Sequence, residues 1–311
     1  MTSIHDVRAA AERIRRHVHR TPVLTSATLD AELSAEVFIK CENLQKVGAF
    51  KARGACNAVM ALDDETAARG VITHSSGNHA AALAYAARSR GIPCYVVMPD
   101  AAPKVKVEAV RGYGAEVRFC KRSERQQACD AWQKETGAEF VHPFENPYVI
   151  AGQGTAALEL LAQVADLDIV ITPVGGGGLC GGTSVVVREL LPGARMLGAE
   201  PEAVDDAARS LATGVRQPAV EDPKTWGDGL MTGLGEPNFE LLKQNKVEII
   251  TCTEEAIVDA ARFFLERAKV VVEPSGATTL AAIRSIKDQV RGKRIGMIVT
   301  GGNTDFAWLN A

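Results

Sequence analysis

A lysine among small neighbours, a run of four glycines and three further glycine-bearing junctions carry the groups in this sequence with most chemistry to offer. Lys51 stands in AFKARGA, between Phe50 and Gly54. An amine held short of bulk water is favoured in its neutral form, which equips it as a nucleophile or Schiff-base partner. The stretch DIVITPVGGGGLCGG sets Gly175, Gly176, Gly177 and Gly178 after an apolar run and before a helix expected from about Leu179 to Leu191. Bare amides at a helix N-terminus form a phosphate cradle, because glycine lets the backbone approach the anion and the helix end adds partial positive charge.

A second junction, VITHSSGNHAAALAYAA, places Ser75, Ser76, Gly77, Asn78 and His79 at a helix start. Hydroxyls and free amides there suit a carboxylate, and the same residues also suit an ordinary serine N-cap. RIGMIVTGGNTDF ends a strand at Thr300, Gly301, Gly302 and Asn303, and VVVEPSGATTLAA sets Glu273, Pro274, Ser275 and Gly276 ahead of another helix. One competing pattern overlaps the glycine run. Gly176, Gly178 and Gly181 satisfy G-x-G-x-x-G, with Glu200 about twenty residues on, which is the fingerprint of a nicotinamide-binding oxidoreductase. That reading leaves Lys51 and the other junctions without work.

The elements that must position these groups alternate. Strands are expected over 36 to 40, 94 to 99, 116 to 120, 168 to 174, 195 to 200, 247 to 252 and 294 to 300, with alanine-rich helical stretches between most of them. A first helix is expected over residues 5 to 18, from the spacing of Val7, Ala10, Ile14 and Val18. The predicted class is α/β, with parallel-rich twisted sheets flanked by helices, and ligands at the carboxyl ends of the strands. At 311 residues, two domains are the better expectation.

Composition narrows the partners. A net charge of -3 gives no nucleic-acid footprint, and no apolar window is long enough for a membrane span. Seven scattered cysteines without a C-x-x-C pair argue against a disulfide framework or zinc ribbon and for a reduced, cytoplasmic setting.

Taken in order, Lys51, Ser-Ser-Gly-Asn-His, the tetraglycine run and Thr-Gly-Gly-Asn resemble the pyridoxal phosphate enzymes of the tryptophan synthase β type, fold type II. Within that group the sequence is most similar to serine/threonine dehydratases and serine racemases, from RTPV at 20 to 23 through TGGN at 300 to 303. The resemblance implies that Lys51 carries the cofactor as a Schiff base, flanked by Phe50. Asn78 is implied to hydrogen-bond the cofactor's phenolic oxygen, and Gly175 to Gly178 with Leu179 to hold its phosphate. Thr300 falls where the family usually has a serine facing the pyridine nitrogen. A hydroxyl there leaves that nitrogen largely unprotonated, which favours elimination over chemistry needing a long-lived carbanion.

Ser75, Ser76, Asn78 and His79 are implied to take the substrate carboxylate. The reaction so implied is loss of water from L-serine or L-threonine, with Lys51 as base, to give a 2-oxo acid and ammonia. Ser76 matches the acid/base that racemases use opposite the lysine, so serine racemase is the alternative reading, and 3-hydroxyaspartate dehydratase another. Phe144 stands where some racemases have asparagine, which weakens a claim for D-serine. His74, Arg53 and Arg122 are candidates for a second substrate carboxylate. A non-catalytic pyridoxal phosphate carrier is the lesser alternative of another class.

The racemase-like branch also implies a divalent-cation site, matched here by Glu200, Val204 and Asp206; oxygen ligands suit Mg²⁺, Ca²⁺ or Mn²⁺. The chain ends soon after TGGN, so no C-terminal regulatory domain is expected. The resemblance further implies a homodimer and a small domain of residues 65 to 147 inserted into a large one of residues 1 to 64 and 148 to 311, closing over substrate.

Overall fold

The computed structural model describes residues 1 to 310 apart from Ser76 and Pro103, and the backbone alone at Val105. The acid/base expectation for Ser76 therefore lies outside the described residues. Among the described residues ten strands form two sheets: β1 (Val23–Leu24), β2 (Glu36–Cys41), β3 (Val71–His74), β4 (Cys94–Pro99), β5 (Glu116–Cys120), β6 (Glu139–Phe140), β7 (Ile169–Pro173), β8 (Arg195–Pro201), β9 (Glu248–Cys252) and β10 (Arg294–Val299). The larger sheet runs β1-β2-β10-β7-β8-β9 and the smaller β5-β4-β3-β6. All pairs are parallel except β1 with β2.

Central strands β7 and β10 are apolar almost throughout because helices cover both faces of the larger sheet. Two apolar clusters sandwich it. One includes Ile39, Ile171, Met297 and Leu280, the other Val170, Ile298, Leu160 and Val186. The expected strands are all present, within a residue or so at each end. The structure adds β3, in the VITH that precedes the Asn78 junction, and β1 and β6, whose two residues each are too few for an alternation pattern to register.

The first helix is shorter than its apolar spacing predicts, Ile4–Ile14, capped by Ser3 and Asp6. Tertiary bonds draw the following backbone out of helix. The carbonyl of His19 accepts from Gln45 and Arg53, and that of Thr21 accepts from Lys40.

Three helices are fixed against one another by glycines. A Cβ on Gly152, in helix Pro147–Gln163, would come within 2.7 Å of Gly54 in helix Lys51–Met60. A Cβ on Gly154 would come within 2.8 Å of the Gly182 carbonyl in helix Gly178–Leu190. Only glycine permits such approach, so the helix that begins at Lys51 and the one that begins at the glycine run share a rigid neighbour.

Candidate active site

Lys51 opens its helix at the carboxyl end of β10. Its approach is tied down by backbone bonds: Phe50 N donates to the Thr300 carbonyl at 2.9 Å, Ala49 bridges Gly301, and Gly302 N donates to the Gly48 carbonyl at 3.0 Å. The turn that makes this possible places β-branched Val47 at φ 57°, a strained conformation. Asn303 Nδ2 holds the Val47 carbonyl at 2.8 Å.

The lysine amine donates to the Pro143 carbonyl at 3.0 Å and lies 5.1 Å from the Phe50 ring centre. Desolvation pulls its pKa down from 10.5 to about 8, against the opposing pull of Glu273. A substantial neutral fraction therefore exists near neutral pH, as a nucleophile or base requires.

Glu273 was placed by sequence only at a helix junction, and the structure gives it a central position. It is 5% exposed, and burial together with Asp228 raises its pKa to about 7. Asn78 Nδ2 donates to its two oxygens at 2.9 and 3.3 Å, while Asn78 Oδ1 accepts from Asn303 at 2.8 Å. This pair of bonds orients the Asn78 amide, and the Asn78 and Thr300 junctions meet through it. A side chain at Gly301 would collide with Glu273. The signal available in sequence was a carboxylate in the apolar run VVVEP, directly before a helix-opening proline.

Helix Asn78–Arg90 has Gly77 as its N-cap and no capping side chain, so the serine-cap reading does not hold among the described residues. Ser75 Oγ instead accepts from Gly77 N at 3.3 Å. His79 is buried, with Nε2 3.0 Å from the Val141 carbonyl and Nδ1 unpartnered among the described residues. Burial, and then Lys51, lower its pKa to about 3, so the ring is neutral, donates through Nε2 and keeps Nδ1 as an acceptor.

The glycine run follows β7. Gly177 is the N-cap of helix Gly178–Leu190 at φ 85°, a left-handed conformation that side chains rarely adopt, and a Cβ there would come within 2.6 Å of Leu234. The first-turn amides of that helix have no intrahelical acceptor, which leaves donors for an anion. A Cβ at Gly176 would overlap the Phe144 ring. Thr300, 4% exposed, sits at the end of β10 beside Gly276. Lys51, Asn78, the glycine run and Thr300 therefore stand at the carboxyl ends of β3, β7 and β10 or on loops bonded to them, as an open parallel sheet requires of a ligand site. An amine with a lowered pKa, a set of anion-binding amides and a hydroxyl fit an aldehyde that carries a phosphate and a ring nitrogen.

Arg53 is corrected outright as a candidate for a second substrate carboxylate. It has no exposure and pairs with Glu42 at 2.7 and 2.8 Å and with Glu159 at 2.8 and 2.8 Å. His74 is hydrogen-bonded to Gln126 at 2.9 Å and stacked on Phe140, with burial lowering its pKa. Arg122 is exposed on a short helical turn after β5.

Glu200, near the carboxyl end of β8 and two strands from β10, interacts with Asp206 at the start of helix Asp206–Thr213. Glu200 accepts from the amides of Ala207 and Ala208 at 3.0 and 2.9 Å, and Asp206 from that of Leu234 at 2.8 Å. These bonds make Glu200 a cap for the start of helix Asp206–Thr213. Burial raises Glu200 to about 8 despite the amides, and Asp206 adds repulsion. Among the described residues no group of three or more His, Cys, Asp or Glu side chains could hold a metal ion.

Residues 14 to 301 match the family model described as "Pyridoxal-phosphate dependent enzyme". The chain is 49% identical over 303 residues to a beta-hydroxyaspartate dehydratase of Paracoccus denitrificans, covering 97% of this chain and 96% of that protein. It is 46% identical over 310 residues to a serine racemase of Dictyostelium discoideum, covering 98% and 96%. A crystal structure of a threonine deaminase from T.th. superposes with a TM-score of 0.93 at 44% identity, covering 98% of this chain and 99% of that one.

Proposed function

We propose the following reaction for this chain, which belongs to the pyridoxal-phosphate dependent enzymes: loss of water from a small L-β-hydroxy amino acid, L-serine or L-threonine, to give a 2-oxo acid and ammonia. The observation that supports it is the Lys51 amine, its pKa drawn to about 8, next to the Phe50–Thr300 backbone bond and bonded to Pro143, whose neighbour Phe144 lies against Gly176. When bound, pyridoxal phosphate supplies the electron sink that makes the substrate's α-proton acidic.

The chain's own residues do the rest. The amides of Gly175 to Gly178 and Leu179 would hold the phosphate, and Phe50 packs beside the reactive amine. Thr300 would offer its hydroxyl to the ring nitrogen, and Asn78, oriented by Glu273 and Asn303, would meet the phenolic oxygen. Ser75, Ser76 and the helix-start amides of Asn78 and His79 receive the substrate carboxylate. The Lys51 amine takes the α-proton, the β-hydroxyl departs with a proton as water, and the released enamine hydrolyses to oxo acid and ammonia. Residues 65 to 147 form the small domain that closes over the substrate.

Serine and threonine are favoured over 3-hydroxyaspartate because two of the three cations considered for a second carboxylate are committed elsewhere. Arg53 is held by Glu42 and Glu159, and His74 is bonded to Gln126 with a lowered pKa. A panel of these amino acids, assayed for oxo-acid release and for D-amino acid formation, tests the choice. Oxo acid from L-serine or L-threonine is expected, and turnover of 3-hydroxyaspartate alone would overturn it. Dominant D-serine formation would give the racemase reading precedence.

The amine's pKa makes a second prediction. Only the neutral Lys51 amine would be nucleophilic, so reconstitution of apoprotein with pyridoxal phosphate should slow by about tenfold per pH unit below a midpoint near 8 and level off above it. Stopped-flow growth of the visible absorbance at several pH values measures this, and a pH-independent rate from about 6 to 9 would contradict it.

Glu200, Asp206 and the Val204 carbonyl are proposed to bind Mg²⁺ or a similar hard cation, since two adjacent buried carboxylates repel each other and oxygen donors suit such ions. Mg²⁺ should raise the thermal midpoint and Asp206→Asn should abolish that rise. An unchanged midpoint and full activity in strong chelator would refute the site. The assembly proposed is a cytoplasmic homodimer, testable by light scattering.

A further inference from the structure

Beside the glycine run, one buried side chain bonds two loops that approach the site from different parts of the chain. Asn238, without exposure, stands at the start of helix Glu236–Gln244. Its Nδ2 donates to the Gly176 carbonyl at 2.6 Å and to the Phe144 carbonyl at 2.8 Å. Two acceptors demand an NH₂ group there, which fixes the amide's orientation, and Oδ1 is left facing Gly181 without a partner among the described residues.

The consequence for the cradle follows from peptide planarity. In a trans peptide the C=O of Gly176 and the N–H of Gly177 point in opposite directions. Holding the Gly176 oxygen against Asn238, with Gly235 N adding a bond at 3.2 Å, turns the Gly177 N–H to the side opposite Asn238 and Gly235. The stem of Asn238 packs beneath Gly177, where an added Cβ would come within 2.8 Å of it. The second bond fixes Phe144, one residue after Pro143, whose carbonyl receives the Lys51 amine.

We propose that Asn238 is a positioning residue for phosphate, aiming the Gly177 amide and locking the cradle to the segment that holds Lys51. It touches neither substrate nor cofactor. The proposal rests on the glycine run being the phosphate site.

The test compares pyridoxal phosphate with pyridoxal, which lacks the phosphate, in binding to apoprotein of the wild type, Asn238→Ala and Asn238→Thr, monitored by absorbance titration. Loss of both bonds in Asn238→Ala should weaken pyridoxal phosphate binding about tenfold and leave pyridoxal within about twofold. Asn238→Thr, which retains one donor and guards against a folding failure of the first variant, should lose about threefold, a partial rescue. A purely structural role would lower the thermal midpoint while keeping the wild-type ratio of the two affinities, and that result overturns the inference alone. A wild type that binds both ligands equally overturns the cradle reading beneath it as well.

Discussion

Lys51→Ala should leave a folded protein with no measurable oxo-acid release. Two losses combine in that variant. The base that takes the α-proton disappears, a contribution of about 10²–10⁴-fold by itself, and so does the amine that anchors the cofactor. The fold should survive, because Lys51 is only partly buried, its helix is held by glycine-mediated packing and the Phe50 and Gly302 backbone bonds, and the amine's one side-chain bond is to the Pro143 carbonyl. Removing a desolvated ammonium even relieves an unfavourable burial. Circular dichroism matching the wild type, no visible cofactor band and no turnover are the expected set. Turnover within about tenfold of wild type would mean that another group serves as base.

Arg53→Met should be the most damaging change to stability. Arg53, Lys40 and Glu42 are fully buried, and Glu159 joins them, with Arg53 to Glu42 at 2.7 Å, Arg53 to Glu159 at 2.8 Å and Lys40 to Glu159 at 2.7 Å. Without the guanidinium, Glu42 keeps Thr21 and Gln45 but loses its cation, and breaking such a buried pair costs about 3–5 kcal/mol. Arg53 is also the third residue of the Lys51 helix, so the loss reaches the site. Urea denaturation monitored by fluorescence reads the change. Arg122→Ala, on the exposed turn after β5, should stay within about 0.5 kcal/mol of wild type as a control. An Arg53→Met midpoint equal to the wild type would show that the network contributes little.

Much of the fold was legible because its signals are local. The strands β2, β4, β7, β9 and β10 are short, mostly apolar runs with β-branched residues, β5 and β8 are short runs with fewer of them, and the glycine run, the Asn78 junction and the Thr300 junction each fall where a strand hands over to a helix or loop. What sequence could not supply depends on pairs far apart in the chain. Arg53 reads as a surface cation until Glu159, 106 residues on, is brought against it. Glu273 gains its place from Asn78, 195 residues away, and Asn238 from Phe144 and Gly176, 94 and 62 residues away. The first helix stops at Ile14 rather than 18, and a distant partner is again involved, since the Tyr85 hydroxyl donates to the His17 carbonyl at 2.7 Å. Hydrophobic period and turn chemistry report on neighbours in sequence, whereas buried polar partners are chosen by the assembled fold.

The most direct check on the whole account is chemical. The purified protein, incubated with pyridoxal phosphate, treated with borohydride to fix any cofactor bound through an amine and then digested, should show the cofactor's mass on the peptide containing Lys51 and on no other. Modification of a different lysine, or none above the background of unfolded protein, would contradict the assignment of Lys51 and with it the proposed chemistry.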